Sequence, residues 1–176
     1  MAKLSSLDDL LVHELQDIYH AEGQILKALP KMTKAASNRD LKTAFEEHRV
    51  QTEGQVKRLE EVFKLLGLPA KGKKCEGMAG LIEEGKKVMD QDAAPAVLDA
   101  ALIAAAQKVE HYEIASYGCV CTYAEMLGLD RAHELLGQNL DEEETTDQRL
   151  TALAESVINI EAEEEGAESE EEEASR

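Results

Sequence analysis

Six side chains able to ligate a cation stand near the middle of four helical stretches: Glu22, His48, Glu110 with Glu113, and Glu143 with Asp147. Residues three or four apart on one helix can reach a common ion, which is the spacing of Glu110-x-x-Glu113 and of Glu143-x-x-x-Asp147. At about 100° per residue, Glu110, Glu113 and Tyr117 share a side with Asp99, Ala106, Ala124 and Leu127, a side that reads as core. A buried, unpaired carboxylate costs several kcal/mol or takes up a proton. A chain that points acids inward must therefore bring something to neutralise them. Five carboxylates and one imidazole at one level would set −5 against the +4 of two divalent cations, and so oxygen-rich a set favours Mn or Fe over Zn or Cu.

The elements that hold these groups follow from apolar periodicity. Ser6 before Leu7-Asp8-Asp9 signals an N-cap, and Leu11, Leu15, Ile18, Glu22, Ile25 and Leu29 form one stripe running to about Ala36. Pro30 inside that run predicts a kink or break near Ala28. Ser37-Asn38-Arg39-Asp40 caps a second helix, whose stripe Leu41, Phe45, His48, Thr52, Gln55, Leu59, Phe63 and Leu66 is polar in its middle and stops at Gly67 and Pro69. Residues 68–94 form a long connection with a short amphipathic pattern at Met78, Leu81, Ile82 and Val88. Pro95 suits the first turn of a third long helix, which Gly128 ends. Asp130 is expected to cap the fourth, with the stripe Leu136, Leu140, Glu143, Asp147, Leu150, Ala154 and Val157.

Main helices of roughly 28 to 33 residues span about 40 to 50 Å. Short turns make the first two, and the last two, antiparallel pairs, while the 27-residue connection is long enough to recross the bundle. One long crossover is the ferritin-like arrangement. The fold expected is therefore all-α: a ferritin-like four-helix bundle over residues 1–160, with a short extra helix in its crossover. Residues 161–176 are expected to form an acidic disordered tail.

Composition narrows the function further. The chain has 176 residues, no Trp, two Phe and four Tyr, and its net charge of −18 is unevenly spread: nine Glu and one Arg give the 16-residue tail −8, and the other residues carry −10. Such a surface repels phosphate, so neither nucleic acid nor an anionic membrane is an expected partner. No signal peptide or roughly 18-residue apolar span is visible, which predicts a cytoplasmic protein. Cys75, Cys119 and Cys121, odd in number and without a C-x-x-C pair, read as reduced packing thiols.

At these same residues the chain resembles a known family, the YciE/YciF-like stress proteins of the ferritin-like superfamily. The matching segments are His13 to Glu22, His48 to Gln55, Cys75 with Gly80-Leu-Ile-Glu-Glu, Gln107 to Gly118, and Glu142-Glu143 to Thr151, of which Val-Glu-His-Tyr-Glu-Ile-Ala-x-Tyr-Gly is the most specific. The resemblance implies a ferritin-like bundle, a homodimer, kinship with rubrerythrins and manganese catalases, and a role in stress.

Di-iron and di-manganese bundles take a Glu from each of two helices and Glu-x-x-His from each of the other two. This chain departs from that pattern. His48 has no Glu three residues before it, and the fourth helix offers no His. The competing reading is an interhelical salt-bridge layer, but the basic residues nearest in sequence, Lys27, Lys108 and Arg149, lie off the stripes. Asp17-x-x-His20 and Asp130-x-x-His133 look like ligand pairs yet fall on expected surface positions. Thr52, Gln55, His111 and Tyr117 are candidates for supporting contacts, and Glu144 is a poorly directed alternative to Glu143. The function expected is a dinuclear Fe or Mn protein acting on O₂ or peroxide; the rival is a non-catalytic stress or assembly protein whose ions only brace the bundle.

Overall fold

The computed structural model describes residues 4–174; Met1 to Lys3 and the last two residues of the expected tail lie outside the described residues. The chain is helical throughout: α1 (Leu7–Ala35), α2 (Arg39–Leu65), α3 (Glu76–Met89), α4 (Pro95–Met126), α5 (Asp130–Leu153), a π turn (Ala154–Ile158) and α6 (Asn159–Ala174), with no strand among the described residues. None of these helices is long and apolar enough to cross a membrane.

Local chemistry sets the ends. The Ser6 hydroxyl accepts the Asp9 N–H, and the Asn38 side chain accepts from Asp40 and Leu41. Gly67 and Gly128 take φ of 70° and 68°, so each following residue can return its N–H to the helix it has left, Leu68 to Phe63 and Leu129 to Ala124. Pro95 opens α4 as expected. Asp130 begins α5 without capping it, contrary to expectation, and at Pro30 the expected break is absent, α1 running on as one helix.

Cross-helix pairs give the directions. Gln55 reaches Glu143, and Arg131 reaches Glu61 near the other end of the same interface, so α2 and α5 are antiparallel. Leu11 clusters with Ala124 while Leu29 clusters with Leu102, so α1 and α4 are antiparallel too. With α1 packed on α2 and α4 on α5, the four close a ring in which α2 and α4 run parallel. This is the ferritin-like bundle, and α3 lies in the crossover that the parallel arrangement requires.

The crossover docks through groups that the sequence had suggested were surface. Cys75 N–H donates to His20 Nδ1 at 3.2 Å, Tyr112 Oη donates to Asp17 at 2.9 Å, and Tyr112 Oη lies 3.0 Å from Cys75 Sγ. Gly72 and Gly77 permit this approach, since a Cβ would stand 2.9 Å from His20 Cβ and 2.8 Å from the Tyr112 ring. Asp17 and His20 are therefore half-buried clamps, and His133 likewise lies 3.0 Å from the Cys121 carbonyl through Nδ1. The three thiols are free, with Cys75 and Cys121 buried and Cys119 exposed, so Cys119 is not the packing thiol expected.

The acidic run expected to be structureless instead continues the last helix as α6. Ala and Glu are strong helix formers. In addition, Glu165 Oε2 accepts the Ala96 N–H at 2.9 Å, supplying the N-terminus of α4 with the side-chain cap that Ala94 lacks.

Two apolar clusters fill the two ends of the bundle. One joins Leu11, Leu15, Phe63, Val120 and Leu135; the other joins Ile25, Phe45, Met78, Leu102 and Ile158. Asp99 pins the far turn. Its two oxygens accept the Ser37 and Asn38 N–H groups at 2.7 and 2.6 Å. Asp99→Ala strands both donors, and hydrogen bonds to a charged group contribute about 1.5 to 3 kcal/mol each. Urea unfolding of this variant should show a stability loss of about 3 kcal/mol, against under about 0.5 for Asp92→Ala on the exposed connection.

Candidate metal centre

Between the two apolar ends lies a polar layer. Glu22 of α1, His48, Thr52 and Gln55 of α2, Glu110 and Glu113 of α4, and Glu143 of α5 are all at most 2% exposed. One donor atom from each of His48, Glu110, Glu113 and Glu143 falls within 4.8 Å of the others. His48 Nε2 stands 3.5 Å from Glu110 Oε1 and 3.8 Å from Glu143 Oε2. Glu22 borders this group, and its charge acts on Glu110 and Glu113.

Two expected ligands lie outside that group of four: Glu22, buried at its border, and Asp147, which does not enter the buried layer. Asp147 is half-buried, accepts from Gln107 Nε2 at 3.1 Å and faces His111 Nε2 at 3.3 Å. The reason is helical phase. The inward residues of α5 are Leu136, Asn139, Glu143, Thr146 and Leu150, so a stripe drawn through Leu140 and Asp147 steps one residue too far on each side of Glu143. The π turn then carries the buried line from Ala154 to Ile158 rather than Val157. Glu144 is exposed.

Several groups hold the acids in place. Tyr117 Oη donates to Glu22 Oε1, Asn139 Nδ2 donates to Tyr117 Oη at 3.0 Å, and Arg58 Nε donates to Asn139 Oδ1. Gln55 Nε2 donates to Glu143 Oε1. Thr146 Oγ1 lies 3.3 Å from His48 Nδ1 and donates to Gln51 Oε1 at 3.4 Å. With Thr146 donating to Gln51, its oxygen can accept from Nδ1–H of His48, an arrangement that would leave Nε2 free for a cation among the acids, the usual way a ligand histidine is oriented. Thr52 instead bonds the His48 carbonyl of its own helix at 2.9 Å.

The sequence reading missed Arg58, Asn139 and Thr146. Arg58 follows Gln55 by three residues and so shares its side of α2, a signal that was available. It is also the cation a salt-bridge layer would need. Yet its donors are taken by Asn139 and Glu142, and only its longer-range field reaches Glu22. One such charge does not balance four buried glutamates.

The consequence shows in the unmet hydrogen-bonding capacity. Among the described residues, the buried side-chain polar atoms without a partner are Glu22 Oε2, His48 Nε2, Gln55 Oε1, Glu110 Oε2, both Glu113 oxygens and Glu143 Oε2. All belong to this layer. In a chain whose other buried polar groups are satisfied, a cluster of orphaned acceptors marks an unfilled role. Burial, reinforced by the neighbouring acids, holds the carboxyls of Glu22, Glu110 and Glu113 well above the ordinary glutamate range. Burial and the charges of Glu22 and Glu113 likewise raise the Tyr117 phenol. The donor set fits divalent metal: five anionic or imidazole ligands, hard oxygen in the majority, and four glutamates whose −4 would match two +2 ions.

Fold and site together define the class, a ferritin-like helical bundle with a buried carboxylate and histidine cluster able to hold a metal ion. The chain belongs to the family described as a domain of unknown function (DUF892), whose model matches residues 6–163. It is 47% identical over 161 residues to protein YciF of Escherichia coli, covering 91% of this chain and 97% of that one. The crystal structure of that stress protein superposes with a TM-score of 0.85 at 46% identity, over 89% of this chain and 99% of the other. YcfI of Rhodopseudomonas palustris superposes with a TM-score of 0.83 at 46% identity, over 85% and 95%. A Xanthomonas campestris protein at 21% identity shares the fold, with a TM-score of 0.74 over 92% and 99%.

The raised carboxyls fix a pH dependence. Folded Glu22, Glu110 and Glu113 keep their protons to higher pH than the unfolded chain, so their contribution to stability is complete below the ordinary value of 4.5 and is lost as pH rises through the raised values. Metal binding needs these groups deprotonated. Metal-stripped protein should melt at a lower temperature at about pH 8 than at about pH 5.5, and manganese should raise the melting point far more at about pH 8. An equal manganese effect at both pH values would contradict the assignment.

Proposed function

We propose that this protein is a stress-associated metalloprotein that holds two Fe or Mn ions among Glu22, His48, Glu110, Glu113 and Glu143 and acts on O₂ or peroxide. The observation that carries this reading is the concentration of orphaned buried acceptors in one layer, together with the absence of a cation able to neutralise it among the described side chains facing that layer. Such ions, cycling between two oxidation states, supply the redox chemistry that side chains lack.

The chain's own residues prepare the site. Tyr117 engages one oxygen of Glu22 and Gln55 one oxygen of Glu143, and in each case the second oxygen stays free. Thr146, itself bonded to Gln51, touches Nδ1 of His48 and leaves Nε2 facing the acids. The apolar clusters above and below exclude water, which strengthens every charge interaction between them. Asp147 lies outside the cluster but near enough for its charge to raise Glu110 further. The stress role and a dimeric state come from the family resemblance, and a cytoplasmic location fits the lack of membrane-spanning helices among the described residues.

A second reading is favoured by one comparison: YcfI, at 46% identity, is described as a candidate structural protein. Ions that only tie α1, α2, α4 and α5 together would leave the site full and inert.

Elemental analysis of protein expressed with added Mn or Fe should find close to two ions per chain, and oxygen evolution from peroxide should accompany them. Glu113→Ala should lower metal content and turnover by about 10-fold or more, while Asp147→Asn, outside the cluster, should keep its metal. Substoichiometric Zn alone would contradict the redox reading. Full Mn or Fe occupancy with no consumption of peroxide or O₂ would favour the bracing role.

A further inference from the structure

A second feature stands apart from the metal layer. Between α1, α3 and α4 lies a small apolar cleft of about 60 Å³ that opens to solvent, walled by Ala28 and Met32, by Leu81, Ile82 and Met89, and by Val109. Helix α3 buries only Met78 fully, so Leu81, Ile82, Val88 and Met89 rest against the bundle half-covered. Gly85 also lines the cleft, and a Cβ there would meet nothing within 4 Å, so the space is open at that wall. Two methionines give the walls an adaptable surface suited to a flexible apolar guest.

The mouth has a chemistry of its own. Lys27 and Lys31, one helical turn apart on α1, and Lys86 on α3 line the same cleft. Neither Lys27 nor Lys31 pairs with an acid among the described residues, while Lys86 reaches Glu83 at 3.1 Å. Three ammonium groups around one apolar opening, in a chain of net charge −18, make a local field opposite to that of the whole molecule. Concave apolar sites with a few convergent polar groups are the common form of a small-molecule pocket.

We propose that this cleft binds a free single-chain amphiphile with a carboxylate head, of the fatty-acid type. Its tail lies against Met32, Ile82 and Met89 and covers the half-exposed side of α3, so that burial of its methylenes drives binding. Its carboxylate sits among Lys27, Lys31 and Lys86. Charge selects the head group: a cationic amphiphile would be repelled at the mouth. The cleft is a recess between three helices rather than a broad apolar face, and the chain's net charge of −18 disfavours an anionic bilayer. Nothing in this assignment depends on the metal layer.

Calorimetric titration of the full-length, delipidated protein with decanoate, kept below its micelle range, tests the proposal. One saturable site per chain is expected. Lys27→Gln with Lys31→Gln should weaken decanoate about tenfold and leave decanol unchanged, because only the head group loses a partner. Gly85→Leu should abolish binding of both while metal content stays at the wild-type value; if that variant fails to fold, Ala105→Leu on the α4 wall replaces it. No saturable decanoate binding, affinity indifferent to the lysine pair, or equal affinity for phosphatidylglycerol vesicles would each overturn it.

Discussion

A carboxylate taken out of water loses several kcal/mol of solvation even after the protein has relaxed around it, and a second placed beside it adds repulsion in a medium that screens poorly. Four glutamates from three helices meet in this way inside the bundle, with one imidazole and no free cation among the described side chains facing them. Nothing in apolar packing explains such a layer. Leucines in those positions would give a more stable bundle at a fraction of the electrostatic cost. The layer persists in the fold because the two apolar ends, anchored by residues such as Leu15, Phe63 and Leu135 on one side and Leu29, Phe45 and Leu102 on the other, supply the stability the middle subtracts. In the proposed function, cations of matching charge remove the penalty, and the same burial that makes the acids costly alone makes them tight ligands once paired.

The surrounding contacts bear the marks of preparation. Tyr117, Asn139 and Arg58 form a chain of donors that ends on one oxygen of Glu22, and Gln55 holds one oxygen of Glu143. Each of these acids keeps its other oxygen free. Had the network evolved only to quiet buried charge, the free oxygens and His48 Nε2 would be the atoms it satisfied first. Arg58 stands close enough for its field to favour ionised Glu22, but burial and Glu143 outweigh it. The long crossover has its own adhesive in the Cys75, Tyr112 and Asp17 contacts, so α3 is held at its start and left loosely covered further along, where the lysine-rimmed cleft opens.

Much of this was legible in the sequence, for a physical reason. Long helices joined by two short turns and one long link admit few topologies, and the polar interruptions at Glu22, His48, Glu110 and Glu113, and Glu143 were conspicuous against apolar stripes. The misses came where phase or tertiary context decided. Over α5 the stripe was drawn through Leu140 and Asp147, since a leucine is the more obvious core residue, although the neighbouring Asn139 and Thr146 are the ones that face inward. Packing resolves it in favour of Asn139, which spans from Arg58 to Tyr117. His20 and Asp17 read as surface because the segment that covers them, Gly72 to Cys75, is remote in sequence. The helical continuation through α6 escaped a rule that equates acidic, apolar-poor runs with disorder, since what holds it, packing on α4 and the capping contact from Glu165 to Ala96, is remote in sequence.

The claim beneath all of this is that the buried glutamates exist to hold cations. Anomalous scattering from crystals grown with Mn or Fe addresses it directly, because it locates each ion without assuming its ligands. The account expects two peaks per chain in the layer between the apolar ends, bonded to oxygens of Glu22, Glu110, Glu113 and Glu143 and to Nε2 of His48. Crystals of metal-saturated protein with no anomalous peak in that layer, and ions only on exposed acids, would contradict it.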